Sequence, residues 1–394
     1  MVSKMKIYEI GTGYTPIPAR MGAATEIVVE ELVKSFQKLG QDVELIDIEA
    51  KDRLPNTLPI TQVKVPSVFT DTDVKLGIMH KLKRVVYSVS LAMKLKKILK
   101  QAHETVLLHF HNQYNLYFFL KLVSPKLRRK AKIAYTVHSY IWPAPWEEIK
   151  DTVHKRYFQE IECVRKADMV LVLNDRTAEH FVNHLGVDSG RIHKINNGVN
   201  TDIYHIQPQQ QREAFIRSLG LSGKRIIFQV GSVCDRKNQL GAVKMLKDYL
   251  REHPDVVYLY AGGIIDAEYQ ASITAIAAEN GIAQQVRYAG ELSPGEELNA
   301  YYNSAVLTVF PSKLESFGLV IIESLAAGRP VILAEKPLFS LEHGCHVYDD
   351  EQAFVQLVDS LLRQQTWDHI AREEVIRQYS WDKVAGDHVD IWNR

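Results

Sequence analysis

Phe310-Pro311-Ser312-Lys313-Leu314-Glu315-Ser316-Phe317-Gly318-Leu319-Val320-Ile321-Ile322-Glu323-Ser324-Leu325-Ala326-Ala327-Gly328-Arg329-Pro330-Val331 is the stretch on which the fold turns. The apolar run ending at Phe310 reads as a strand, and the loop after it carries Glu315. A helix starts near Phe317 to Gly318, and Ala-Ala-Gly-Arg-Pro stops it and opens another strand. Strand, loop, helix and strand in that order make a parallel βαβ unit. Eight positions of helix advance about 12 Å at ~1.5 Å per residue, so Glu315 and Glu323 cannot serve one small pocket. They must grip different parts of an extended ligand. Free amides at Ser316, Phe317, Gly318 and Leu319 offer an anion site between the two acids, which orders the ligand as sugar, diphosphate and ribose. A surface cap would explain Glu315 by itself; it does not explain the constellation.

Outward from this stretch the alternation of β-branched runs and amphipathic segments continues in two sets. Strands are predicted over 6–10, 43–48, 105–109, 132–138 and 169–173, then over 225–230, 256–261, 305–310 and 330–334. Between the sets, Ile206-Gln207-Pro208-Gln209-Gln210-Gln211 is polar and reads as a linker. The expectation is α/β: two Rossmann-like, doubly wound domains, 1–200 and 212–377, facing each other across a cleft. In such sheets ligands sit beyond the carboxyl ends of strands, so the informative residues should follow strands.

Gly231-Ser232-Val233-Cys234-Asp235-Arg236-Lys237-Asn238 follows a predicted strand and places two adjacent cations on a glycine-started loop. Lysine is a compact point charge and arginine a planar fork, and the pair suits a departing diphosphate. Solvated turn charges are the blander reading. Gly11-Thr12-Gly13-Tyr14-Thr15-Pro16 has proline where a dinucleotide fingerprint needs its third glycine. A long loop leading to a helix start near Gly22 is the better reading, with Gly22 permitting close approach of an anionic or hydroxylated group. His138 ends the segment Thr136-Val137-His138, where an imidazole could donate to a sugar hydroxyl or phosphate. His109 and His111 share one strand face, but no third carboxylate or histidine accompanies them in the sequence, so structural use is expected rather than metal binding.

The chain has 394 residues, 46% hydrophobic and 24% charged, which excludes a disordered or fibrous protein. Cys163, Cys234 and Cys345 lie far apart without zinc spacing, fitting a reducing, cytoplasmic setting. No apolar run of membrane-spanning length occurs, and the first residues lead into a strand rather than an apolar leader. The net charge of +1 hides an excess of +13 over residues 75–132, where 14 Lys and Arg meet only Glu104. This basic region is suited to an anionic membrane face, but zinc-finger, RNP and helix-turn-helix signatures are missing, and no nucleic-acid partner is expected. The segment 79–100 presents Leu82, Val85, Val86, Val89, Met93 and Leu99 on one side, an apolar face expected to pack on the sheet. Asp71-Thr72-Asp73 has the form of a DxD metal motif, yet it lies far from the other motifs, and no metal is expected.

Taken together, the E-x7-E segment, the loop through Gly22, His138, Asn196-Asn197-Gly198-Val199-Asn200, Arg236-Lys237 and Ser380-Trp381 resemble a retaining glycosyltransferase of family 4, with the GT-B fold. The resemblance implies that the helix 378–394 crosses back onto the amino-terminal, acceptor-binding domain. It implies that Glu315 binds donor-sugar hydroxyls, Glu323 the ribose, and the amides of Phe317 to Leu319 the sugar and diphosphate. Lys237 matches a phosphate-binding lysine, His138 a histidine near the reacting sugar, Gly22 the residue beneath the phosphates, and the backbone of Arg287 the place where the base is held. An arginine usual after the strand glycine is Ser232 here, with Arg236 as its substitute. Ala23 and Glu335-Lys336-Pro337-Leu338-Phe339 replace glycines near the sugar pocket. The implied reaction is front-face transfer of a hexose or N-acetylhexosamine from a nucleotide sugar, with UDP favoured and no further cofactor. The acceptor is a small molecule such as an aminocyclitol or thiol precursor, or alternatively a lipid-linked one reached at the inner face of the membrane. A UDP-sugar epimerase on the same fold is the reading from a different class, and a non-catalytic sensor the third.

Overall fold

The computed structural model describes residues 5–18, 24–70, 78–138, 146–315, 317–337 and 339–394; Gly22, Ser316 and 71–73 lie outside them. The chain forms two units, Met1–Asn197 with Trp381–Arg394, and Gly198–Ser380.

In the first unit seven strands run in parallel: β1 (Ile7–Ile10), β2 (Val43–Ile48), β3 (Ile60–Val63), β4 (Val106–Phe110), β5 (Ala131–Val137), β6 (Met169–Val172) and β7 (Ile192–Lys194). Their order is β3-β2-β1-β4-β5-β6-β7. Strands β1, β4 and β6 are buried along their whole length, as a parallel sheet covered on both faces requires. The direction of winding reverses between β1 and β4. On one face the helix Ala24–Lys38 packs with the last helix, Trp381–Trp392, where the rings of Phe36 and Trp392 lie 4.8 Å apart.

The helix Ile78–Gln101 corrects one expectation. Its buried stripe is Tyr87, Leu91, Leu95 and Leu99, an i, i+4 series, whereas Leu82, Val85 and Met93 are exposed. Two apolar stripes compete for one sheet, and the one with the longer uninterrupted spacing is buried.

The second unit holds β8 (Arg225–Val230), β9 (Val256–Ala261), β10 (Val286–Tyr288), β11 (Leu307–Phe310), β12 (Val331–Leu333) and β13 (Cys345–Val347), all parallel, in the order β10-β9-β8-β11-β12-β13. Winding reverses between β8 and β11. The segment predicted as a linker belongs to this unit: the side chains of Asn299 and Asn303 accept from the amides of His205 (3.3 Å) and Gln207 (2.8 Å), and a helix begins at Gln209.

Candidate active-site residues

Lys237 and Glu315 meet at the reversal point of the second unit. Val230 ends β8, and Gly231 takes φ 149°, a conformation that L side chains rarely adopt. The loop that follows is laced to the one after β11. The Lys313 amide donates to Arg236 O at 2.9 Å, and Asn238 Nδ2 donates to Pro311 O at 3.1 Å. From below, Gln229 Nε2 donates to Lys237 O at 2.8 Å, and Gln229 Oε1 accepts from the Tyr258 hydroxyl at 2.7 Å. The ammonium of Lys237 thereby reaches Glu315 Oε1 at 2.5 Å, while Arg236 lies 3.5 Å from Oε2 and donates to Leu314 O at 3.1 Å. Both cations and the acid form one cluster at a crevice where the strand order reverses, the place ligands occupy in open α/β sheets.

Gly318, at φ 85°, begins the helix Leu319–Ala326, and Phe317 anchors the turn by stacking on Phe339 at 4.7 Å. Glu323, on that helix, is half-buried and accepts from Tyr302 at 3.0 Å. Burial raises its pKa to about 7 against the opposing hydrogen bonds of Tyr302 and Tyr204. The two glutamates therefore have different environments, one ion-paired and one about half protonated near pH 7.

Arg287 lies in the edge strand β10, and its guanidinium is turned to Gln284 O at 3.2 Å. The Tyr258 amide donates to Gln285 O, and the Ala289 amide to Tyr260 O, each at 2.8 Å. Strand alternation then directs the Arg287 main chain toward β9 and leaves the edge to the main chains of Val286 and Tyr288. The main-chain groups left at the sheet edge are thus those of Val286 and Tyr288, the neighbours of Arg287.

The first unit has its own polar centre, also at its reversal point. Glu9 of β1 lies beside His109 of β4 in register. Its two oxygens meet His109 Nδ1 at 2.8 Å and His111 Nε2 at 2.7 Å, and His111 Nδ1 meets His138 Nε2 at 2.9 Å. His109 Nε2 is 2.7 Å from the Thr136 hydroxyl. The expectation that no third acid accompanies His109 and His111 is thus corrected by Glu9, and the three place their ligand-type atoms within 4.8 Å of one another. Each of those atoms is engaged in a direct hydrogen bond.

Burial would raise the Glu9 pKa, but the two histidines overcome it and hold the carboxyl at about 2; burial lowers His111 to about 4 and His138 well below its usual range. A carboxylate only accepts, so His111 donates through Nε2, accepts at Nδ1, and receives the Nε2 proton of His138. Neutral His138 consequently presents Nδ1 as an acceptor. It lines a cavity of about 290 Å³ together with Thr12, Arg84, Asn112, Gln113 and Glu160. Arg84 lies 4.5 Å from the Tyr114 ring and donates to the Tyr14 hydroxyl at 3.2 Å, and burial lifts Glu160 to about 7.

Sequence reasoning missed Glu9, Tyr302, Gln229 and Arg84. No local pattern marks Glu9, and only the adjacency of β1 and β4 reveals its partners.

Two family profiles match the chain: Glycosyltransferase Family 4 over residues 25–203, and Glycosyl transferases group 1 over residues 211–378. A D-inositol 3-phosphate glycosyltransferase from Nocardiopsis dassonvillei is 31% identical over 182 residues, 44% of this chain and 42% of that protein. The chain thus spans about two fifths of the length of this curated relative. A sucrose-phosphate synthase from Thermosynechococcus elongatus superposes with a TM-score of 0.74 at 18% identity, covering 99% of this chain and 98% of that one. Anabaena HepE in complex with UDP and glucose gives 0.71 at 14% identity, covering 99% of each. Two parallel-sheet units with these counterparts make the fold GT-B.

Proposed function

We propose that this chain, which belongs to glycosyltransferase family 4, transfers a hexose or N-acetylhexosamine from a nucleotide-diphosphate sugar to a hydroxyl acceptor, with retention and without a metal. UDP is the favoured nucleotide. The reading rests on one observation above the others: Lys237 and Arg236 converge on Glu315 at the reversal point between β8 and β11. Cations there offset the charge that grows on a leaving diphosphate, and the acid accepts from sugar hydroxyls. Glu323, ionised, accepts from the ribose. No protein nucleophile is required in a front-face displacement, because the leaving diphosphate takes the acceptor proton.

The acceptor is assigned to the cavity of the first unit, where His138 Nδ1 and the carbonyls and hydroxyls of a polar lining suit a polyol. Arg84, with the Glu160 carboxyl lifted to about 7 and so only partly charged, favours an acceptor that carries an anionic group, in keeping with the phosphorylated inositol in the relative's name. Incubation with UDP-glucose, UDP-N-acetylglucosamine and GDP-mannose separately, with slow diphosphate release as the readout, tests the donor half. Release from one donor, abolished by Glu315→Ala, is expected; conversion of a UDP-sugar without release of UDP would instead identify an epimerase.

A second reading, a lipid-linked acceptor, is favoured by the exposed face of the helix Ile78–Gln101. Ile78 is 84% exposed, Met79 54% and Met93 52%, with Lys81, Lys97 and Lys100 exposed on the same helix. No helix among the described residues is long and apolar enough to cross a membrane. An amphipathic basic helix lies on anionic lipid at ~1 kcal/mol per nearby cation. Sedimentation with vesicles of rising anionic content should carry down rising amounts of protein; a flat response rejects this reading.

A further inference from the structure

At the other end of the second sheet, Arg329 is a buried cation without a counter-ion among the described residues. It precedes β12 and is 5% exposed. One terminal nitrogen donates to Asn303 O at 3.0 Å, but its buried Nε has no hydrogen-bond partner among the described residues. Its guanidinium carbon lies 3.2 Å from the centroid of the Trp367 ring, and that of Arg212 lies 4.3 Å from the same ring. The Nε of Arg212 is also buried and without a partner. Among the described residues no carboxylate forms an ion pair with either arginine. Burial lowers the pKa of both, and the charge of Arg212 lowers that of Arg329 further. A shared indole attracts each guanidinium, yet that attraction is smaller than the cost of a buried, unpaired charge.

The two arginines line a cavity of about 240 Å³ with Gln209, Ser304, Lys224 and Trp367. Among the described residues Glu213 is the only acid in its lining; it is exposed, and it accepts from Gln209 at 2.8 Å. Neighbouring cations have other partners, Lys224 at Pro254 O (2.9 Å) and Arg225 at Asp255 (2.6 Å). The complement of such guanidinium forks is an anion with several acceptor oxygens. We infer that the second unit carries an oxyanion site, built by Arg329 and Arg212 on Trp367, which binds inorganic phosphate or the phosphate of a monoester. It is separate from the Lys237 cluster, which follows β8 at the opposite end of the sheet.

Trp367 is the sole tryptophan between Gly198 and Ser380, so it reports on the site. The full chain is titrated at constant ionic strength with inorganic phosphate, with glucose 6-phosphate and with glucose, and tryptophan emission is read against Trp367→Phe. Saturable change is expected with one or both oxyanions, none with glucose, and none in Trp367→Phe. Arg212→Gln, at the half-exposed member, should weaken binding about ten- to a hundredfold, while the exposed Lys244→Gln should not. Lys237→Ala should keep the response, which separates this site from any phosphate bound by the donor residues. A preference for glucose 6-phosphate over phosphate marks a monoester as the ligand, and equal affinity marks the free ion. No saturable change up to tens of millimolar, an unchanged Arg212→Gln, or loss of the response in Lys237→Ala would overturn the inference.

Discussion

Glu323→Gln should make the second unit more stable at high pH while weakening its hold on UDP. The Glu323 carboxyl has a pKa of about 7 in the folded chain and 4.5 as its ordinary value, because burial disfavours the charged form. Between pH 4.5 and 7 the folded state therefore keeps a proton that the unfolded state has released. Stability falls as pH rises through this window, and the full cost is present above pH 7. At 1.36 kcal/mol per pKa unit the difference amounts to about 3 kcal/mol, an upper figure because the side chain is half-buried. Glutamine does not titrate, and its carbonyl oxygen can still accept from Tyr302. Amide exchange of the helix Leu319–Ala326, corrected for intrinsic rates, is the appropriate assay, since a chain of two units need not unfold in one step. Protection should rise in the variant at pH 8.5 by up to about two orders of magnitude and by no more than about fourfold at pH 5. UDP affinity should fall about tenfold or more and lose its rise with pH near 7. A variant less protected than wild type at pH 8.5, or equally protected at both pH values, would refute the reasoning.

Lys237→Ala should reduce diphosphate release by about 10²- to 10³-fold with the fold intact, as removal of one charge-stabilising donor does elsewhere; steady-state kinetics and circular dichroism together check it. Gly231→Ala forces a Cβ to 3.3 Å from Lys237 Cε at φ 149°, so UDP binding should weaken, and calorimetry should show loss of affinity out of proportion to any loss of stability. Glu9→Gln supplies one acceptor for two histidine N–H groups and should destabilise the first unit by about 1–3 kcal/mol in denaturant titrations at pH 7. Because the Glu9 carboxyl is held at about 2, its contribution is present above pH 4.5 and is lost as pH falls toward 2. The gap between wild type and Glu9→Gln should close over that range.

The central strands were legible because parallel sheets covered on both faces need apolar-rich runs: 225–230 and 256–261 match the observed strands in extent, and so does 43–48, although Glu44 and Asp47 interrupt it. Strands β3, β7, β10 and β13 were not, since each has three or four residues that are largely part-exposed and carry little apolar signal. The site divides in the same way. Lys237 and Glu315 could be paired in advance because both follow strands, and order along the chain sufficed. Glu9 with His111, and Tyr302 with Glu323, are joined by the order of strands and the packing of helices, which local patterns do not encode. The helix Ile78–Gln101 was ambiguous because it carries two apolar stripes, and only Tyr87, Leu91, Leu95 and Leu99 find the sheet.

The replacement of an expected arginine by Ser232 becomes intelligible from the cluster itself. Arg236 leans on Leu314 O and lies near Glu315, so both cations of the β8 loop converge on the acid of the β11 loop. That acid is held by the same groups that the proposed function assigns to a diphosphate. Under the proposed assignment, arriving phosphates would draw Lys237 and Arg236 away and so release Glu315 to accept from sugar hydroxyls, whereas a diphosphate without its sugar would gain nothing from the released acid. Glu315→Ala should accordingly bind UDP a few-fold more tightly than wild type, because the competing carboxylate is gone, while diphosphate release from the UDP-sugar is lost. The effect on UDP should shrink at high salt, since the cluster is part-exposed and screened. Weaker UDP binding in Glu315→Ala would show that the acid positions Lys237 for the phosphates instead of competing with them, and the order of events would have to be reversed.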